Sequence, residues 1–150
     1  MAHDFVKFPE LTNAQMEIYY FESPHKQIFS DFRATVTKVH DGDTITVRAP
    51  FRDFTFPVRF LDTNAPELNE EHGKDSQLWL ENIIFNEEID IIINPSNRVD
   101  KWGRLLGIIY HKGMNINQQS INEGKATSFE NRMEGKLPNI DKEMAIEKWL

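Results

Sequence analysis

Apolar and polar residues alternate along the segment that starts at Ala34. ATVTKVH (34–40) has a period of two, DGD (41–43) interrupts it, and TITVRA (44–49) resumes it. Period two is the pattern of a half-buried strand, and an Asp-Gly step between two such runs predicts a hairpin. APFRD (49–53) reads as a loop, and FTFPVRFLDT (54–63) as a third strand in which Pro57 points to an edge or a bulge. NAPELNEEHGK (64–74) is irregular. DSQLWLENIIFN (75–86) has helical spacing, with Asp75 or Ser76 as cap and Leu78, Trp79 and Ile83 facing inward. EEIDIII (87–93) is a fourth strand, and IDIIIN (89–94) is aliphatic enough to be buried. NPSNRVDKWG (94–103) is a turn-rich loop, RLLGIIYH (104–111) a fifth strand and KGMN (112–115) a turn. NINQQSINEG (115–124) predicts a short helix closed by Gly124. NIDKEMAIEKW (139–149) predicts a last helix with Met144, Ile146 and Trp149 partly inward.

Residues 1–33 differ. Their aromatics follow no clean period, although TNAQMEIYYF (12–21) suits a short helix with Thr12 as N-cap and Pro24 beyond its end. So many aromatics argue against a disordered tail. The chain therefore divides into an ordered N-terminal extension (1–33) and a domain (34–150). Three meandering strands, a helix, two strands and further helices make an α+β order. A five-stranded barrel with a helix between strands three and four fits the OB-fold plan, with about three α-helices in all.

Composition narrows the classes. A length of 150 residues suits one domain, and 39% hydrophobic residues supply a core. No apolar run reaches the length of a membrane helix, so no membrane partner is expected. The absence of Cys excludes disulfides, thiol nucleophiles and Cys-bound zinc. MAHDFVKFPEL lacks a basic-then-apolar signal pattern, which predicts an intracellular location; secretion of a processed form stays open. The net charge of −7 argues against broad affinity for nucleic acid. The charge is uneven, however. Residues 34–94 carry 5 basic and 12 acidic side chains, whereas residues 95–150 carry 9 and 7.

Some of these residues could carry chemistry. Arg59 and Arg104 present the planar donor fork that matches phosphate oxygens, or else they are strand arginines paired with surface acids. Glu67 leaves the third strand beside Pro66, where a carboxylate can orient or deprotonate water; the alternative is a solvated loop acid, as expected for Glu70 and Glu71. Asp41 and Asp43 flank Gly42, which would allow a positive φ. They either shape that turn or supply a metal ligand. His3, His25, His40, His72 and His111 lack metal-ligand spacing and read as surface or supporting histidines.

Taken together, VHDGDTITV (39–47), VRFLDTNAPE (58–67) and RVDKWGRLLGIIY (98–110), with INQQSINEGKA (116–126) in support, resemble the staphylococcal nuclease (thermonuclease) family over residues 34–150. The resemblance implies Ca²⁺-dependent hydrolysis of DNA and/or RNA with little sequence specificity, by water attack at phosphorus that leaves 3′-phosphate ends. It makes Arg59, Arg104 and Glu67 the catalytic residues. Asp43 becomes a metal ligand with Asp41 behind it, and the Ala65 carbonyl is a possible backbone ligand. Asn64 stands where the family has a ligand aspartate. An amide oxygen can coordinate Ca²⁺ but brings no charge. The expectation is a weak cation site completed by substrate phosphate. In a regular strand Asp62 would point away from Arg59 and would not replace the missing carboxylate. Trp102 takes an aromatic position of the family and is expected to pack there, and Asn117 is expected to be structural. Phe129 and Arg132 are the nearest substitutes for the family's nucleotide-contacting tyrosines. Single-stranded or frayed nucleic acid is the expected partner, and a monomer the expected state. The alternative is a catalytically weak or inactive OB-fold module that binds nucleic acid or protein.

Overall fold

The computed structural model describes residues 3–128. The elements are α1 (Asn13–Tyr19), a 3-10 turn (Tyr20–Glu22), β1 (Phe32–Asp41), β2 (Thr44–Arg48), β3 (Phe56–Phe60), β4 (Thr63–Asn64), α2 (Gly73–Ile84), β5 (Glu88–Ile92), β6 (Leu105–His111), β7 (Met114–Asn115), α3 (Ile116–Asn122) and β8 (Thr127–Ser128). The expected last helix at 139–149, together with Phe129 and Arg132, lies outside the described residues.

Strand pairing closes a barrel. β1 pairs antiparallel with β2 and β5, β2 with β3, and β5 with β6. A parallel pairing of β3 with β6, Val58 opposite Leu105 and Arg59 opposite Leu106, joins the ends. The result is a mixed five-stranded barrel with, among the described residues, three α-helices, the α+β, OB-like fold that the alternation predicts. β7 folds back on β6, and β4 pairs with β8. Pro57 fits because pairing with β6 starts only at Val58, so its missing N–H breaks no bond of that ladder.

The alternation sets the core. Val36, Ile45, Val58, Phe60, Ile89, Ile91, Leu105 and Ile109 fill the interior. Strict period two would have turned Lys38 inward. Irregularities in β1 between Val36 and Lys38, and between Val39 and Asp41, put Val39 in the core instead.

α2 begins two residues before the expected cap. His72 occupies the N-cap at φ 67° with no side-chain cap, and neither Asp75 nor Ser76 caps the helix. Gly73 is required there, because a Cβ would stand 1.8 Å from the Glu67 carbonyl oxygen. With that start, Gly73, Ser76, Gln77, Leu80 and Ile84 face the barrel. Trp79 and Ile83 pack partly against it as expected, but Leu78 is exposed. The helical period carries residues 73, 76, 77, 80 and 84 along one stripe and leaves 78 off it.

The extension is built onto the barrel. Thr12 caps α1 in a reciprocal pair with Gln15, as expected. Arg98, whose side chain is fully buried, donates to the carbonyls of Ile28 (2.7 Å) and Leu11 (2.9 Å). Its guanidinium also lies 3.4 Å from Glu10 Oε1. Glu10 Oε2 stands 2.5 Å from Arg52 Nη2, an ion contact rather than an aligned hydrogen bond. Two barrel loops are thus tied to the extension through one buried carboxylate.

Candidate active site

The hairpin between β1 and β2 brings Asp43 to β3. Thr44 pairs with Arg59, and the Phe60 N–H donates to the Asp43 carbonyl (2.8 Å). β3 then breaks. Asp62, at φ 51°, turns the chain so that Thr63 and Asn64 return alongside Arg59. The strand does not stay regular, so the two faces of a strand do not decide where Asp62 points. It is exposed at the turn, and Asn64 rather than Asp62 meets Arg59.

Arg59 sits at the centre. Its Nη1 donates to the carbonyls of Phe60 (2.9 Å) and Thr63 (2.6 Å). Its Nη2 donates to Asn64 Oδ1 (2.9 Å) and lies 3.5 Å from Asp43 Oδ2. Asp43 is almost entirely buried. Oδ2 accepts from the Ala65 N–H (2.7 Å) and Oδ1 from the Thr44 hydroxyl (3.0 Å). Burial pushes the Asp43 carboxyl up to about 6, and Asp41 adds to the shift, while Arg59 and the Ala65 N–H pull it down. The positive charge around Asp43 is therefore insufficient to hold it ionised at the ordinary carboxylate value.

Asp41 shapes the turn by accepting from the Asp43 N–H (3.0 Å). Gly42 does not use the positive φ open to it. It is needed for close approach, since a Cβ would lie 2.0 Å from Ser76 Oγ and 2.6 Å from Ala65 Cβ. The Ser76 side chain of α2 and the Ala65 side chain thus press against the aspartate turn.

Arg104 reaches the same side of the barrel by register. Leu106 pairs with Arg59, and Arg104 precedes it by two residues on the same outer face. Arg104 closes a tight turn with Gly103 at φ 84°. Asp100 holds this turn, accepting from the backbone N–H of Trp102 and of Arg104 (2.9 Å each) and from Arg104 Nε (2.8 Å). Trp102 is 58% exposed, contrary to the expectation that it packs. The Arg104 guanidinium stands 5.3 Å from its ring centre.

Glu67 is exposed, and among the described contacts its carboxylate meets none of Arg59, Asp43 and Arg104. Its backbone is fixed by Glu70, whose Oε1 accepts from the Glu67 N–H (2.7 Å), so Glu70 has a structural role that the sequence did not suggest. Asn117 is a structural tie. It donates to the carbonyls of Leu61 and Gly107 (3.2 Å each) and accepts from the Ile109 N–H (3.0 Å). Thr44, Thr63 and Asp100 also belong to the site, and sequence reasoning passed over them. For Asp100 the signal was present: Asp followed three residues later by Gly is a turn pattern.

Among the described residues, no group of three or more His, Asp or Glu side chains could hold a metal by itself. The candidate donor set for a cation is Asp43, the Asn64 amide oxygen and the Ala65 carbonyl, with Asp41 behind. It contains only oxygens, which suits a hard cation such as Ca²⁺ or Mg²⁺. By donor chemistry these residues fit such a cation, with one anionic ligand fewer than an aspartate at position 64 would give.

A closed OB-like barrel with an arginine–aspartate cluster on its rim defines the class. The family model described as staphylococcal nuclease homologue matches residues 57–148, and the chain belongs to this family. It is 32% identical to the micrococcal nuclease of Shigella flexneri over 110 residues, covering 67% of this chain and 60% of that protein. It is 26% identical to an uncharacterized endonuclease of Haemophilus influenzae, covering 63% of this chain and 51% of that protein. It is 28% identical to the endonuclease YncB of Bacillus subtilis, covering 61% and 46%. The chain spans about half to three-fifths of the length of these relatives. Among the described residues no helix is long and apolar enough to cross a membrane.

Proposed function

We propose that the chain is a cation-dependent phosphodiesterase that cuts DNA and/or RNA with little sequence specificity. The observation that carries this reading is the Arg59 guanidinium, fixed by two carbonyls and Asn64 beside the buried Asp43, on the face from which Arg104 also emerges. The names of the relatives, nuclease and endonuclease, support it.

Each residue has a chemical role. Arg59 and Arg104 donate to the non-bridging oxygens and stabilise the charge that develops there. Glu67, free of side-chain partners among the described contacts, accepts a proton from water as that water attacks phosphorus. The bond from phosphorus to the 5′-oxygen breaks, the electron pair leaves on that oxygen, which takes up a proton, and the 3′-phosphate remains. Asp43, Asn64 and the Ala65 carbonyl would hold the cation, and Asp41 fixes the turn that presents Asp43. A bound divalent cation supplies positive charge to the phosphoryl oxygens and acidifies bound water. We assign Ca²⁺, weakly bound and retained with the help of substrate phosphate. The backbone phosphate is the handle, so sequence matters little, and single-stranded or frayed regions are the accessible substrates. The protein acts as a monomer, inside the cell.

Asn64 favours a second reading, a weak or inactive module that binds strands without cutting them. Incubating labelled single-stranded DNA with the protein in Ca²⁺, Mg²⁺ or EDTA separates the two. The nuclease reading expects cutting in Ca²⁺, 3′-phosphate ends and none in EDTA. Retention of the strand without cutting in any buffer overturns it in favour of the binding module.

A further inference from the structure

The extension and the Asp100–Arg104 turn enclose a cleft of about 300 Å³. One wall is aromatic. His3 lies 4.6 Å from Phe5 and 5.6 Å from Tyr19, ring centre to ring centre, and 6.2 Å from Phe8. The His3 ring nitrogen is fixed to the Phe8 carbonyl (2.8 Å). From the turn, Lys101, Trp102 and Gly103 also line the cleft. Phe8 packs so tightly on Gly103 that a Cβ there would meet its ring at 2.7 Å. The extension is therefore seated directly on the turn that Asp100 holds.

The charges around the cleft favour an anionic partner. Lys101 Nζ lies 4.6 Å from the Trp102 ring centre, and Arg104 approaches the same ring. The acid on the cleft wall, Asp4, spends its Oδ1 on the N–H groups of Val6 and Lys7 (3.1 Å each). An exposed indole that lines a pocket with Tyr19, His3 and a lysine, and that carries the Arg104 guanidinium 5.3 Å from its ring centre, has the features of a single-strand platform: flat rings for bases and cations for the backbone.

We propose that this cleft is a nucleobase subsite, formed jointly by the N-terminal extension and the Asp100–Arg104 turn, that takes a base next to the phosphodiester held by Arg104. The proposal rests on the phosphodiesterase reading. It makes the extension part of the substrate-binding surface, with Tyr19 and Trp102 supplying stacking area, and the base is accepted by its flat face rather than by its hydrogen-bonding edge. The subsite therefore adds affinity for single strands without adding sequence specificity.

An abasic scan tests it. An eight-nucleotide single-stranded DNA is made with one base deleted at each position in turn, and binding is measured by anisotropy in EDTA. Loss of a stacked base weakens binding roughly 5–100-fold. The wild type is expected to show such a loss at one position near the cut. In Tyr19→Ala the whole strand binds more weakly and the loss at that position shrinks towards the level of the others, whereas Tyr19→Trp keeps it. Matched circular dichroism spectra establish that the variants are folded. Equal losses at every position, or the same position-specific loss in wild type and Tyr19→Ala, overturn the subsite. Cutting of the intact strand in Ca²⁺ is measured in parallel. A wild type that cuts but shows no position-specific loss overturns the subsite alone, and one that neither cuts nor binds overturns the phosphodiesterase reading with it.

Discussion

Replacing Asn64 by aspartate changes the charge at the cation site and little else. Asn64 Oδ1 and Asp43 Oδ2 lie 2.9 and 3.5 Å from the same Arg59 nitrogen, so a carboxylate at position 64 would place a second negative charge within a few ångströms of Asp43. A unit charge about 4 Å from an opposite charge gains roughly 4 kcal/mol per unit of cation charge at an effective dielectric of about 20. Repulsion between the introduced carboxylate and Asp43, and competition from Arg59 for the same oxygen, offset much of that gain. A net gain of about 1.4–2.8 kcal/mol, or roughly 10–100-fold in affinity, is the expected result of Asn64→Asp. Calorimetric titration with Ca²⁺ measures it. The wild type is expected to give heat only when a nucleoside 3′,5′-bisphosphate is present, because the missing charge then comes from phosphate. Asn64→Asp is expected to bind Ca²⁺ without nucleotide and to cut DNA at lower Ca²⁺. Tight binding by the wild type alone, or no gain in the variant, is incompatible with a site short of one charge.

Asp43 makes stability depend on pH in metal-free buffer. Its folded-state value is raised from 3.8 to about 6, so its favourable contribution is present below pH 4 and is lost as pH rises through 6. Asp43→Asn should therefore raise the melting temperature at pH 7.5, by about 1–3 kcal/mol of stability, with the gain vanishing near pH 4; a gain that persists unchanged at pH 4 contradicts this. Gly42→Ala forces a Cβ against Ser76 and Ala65 and should destabilise the fold by about 1–3 kcal/mol in urea unfolding, with activity lost alongside. Glu10→Ala leaves Arg52 and Arg98 buried without their carboxylate and should cost about 3–5 kcal/mol in the same measurement.

The barrel was readable from the chain because period two survives along most of its strands. The sequence was less informative where the chain departs from that period. The bulges that turn Val39 inward interrupt β1, and the break after Phe60 places Asn64 beside Arg59. Both depend on pairing between segments distant in the chain, which no local pattern encodes. Gly42 shows the same limit. Its sequence neighbours suggest a glycine that allows a positive φ, while the folded chain needs it small because α2 packs across it. Leu78 was misplaced because the helix starts at Gly73, a start set by the approach of the Glu67 carbonyl rather than by a capping side chain. The candidate site's charged residues, Arg59, Asp43 and Arg104, stand out in the sequence by their motifs. The atoms that hold them, the Thr63 carbonyl, the Thr44 hydroxyl and Asp100, emerge only from the geometry.

Whether the cluster around Arg59 breaks phosphodiester bonds is decided most directly by a comparison of rates. Purified wild type and Arg59→Ala are given end-labelled single-stranded DNA in Ca²⁺, and the product ends are identified. The wild type should cut in a Ca²⁺-dependent way and leave 3′-phosphates. The rate for Arg59→Ala should be lower by roughly 100-fold or more, the scale of removing one stabilising donor. Equal rates for the two proteins, or cutting that continues in EDTA, would rule out this role for the cluster.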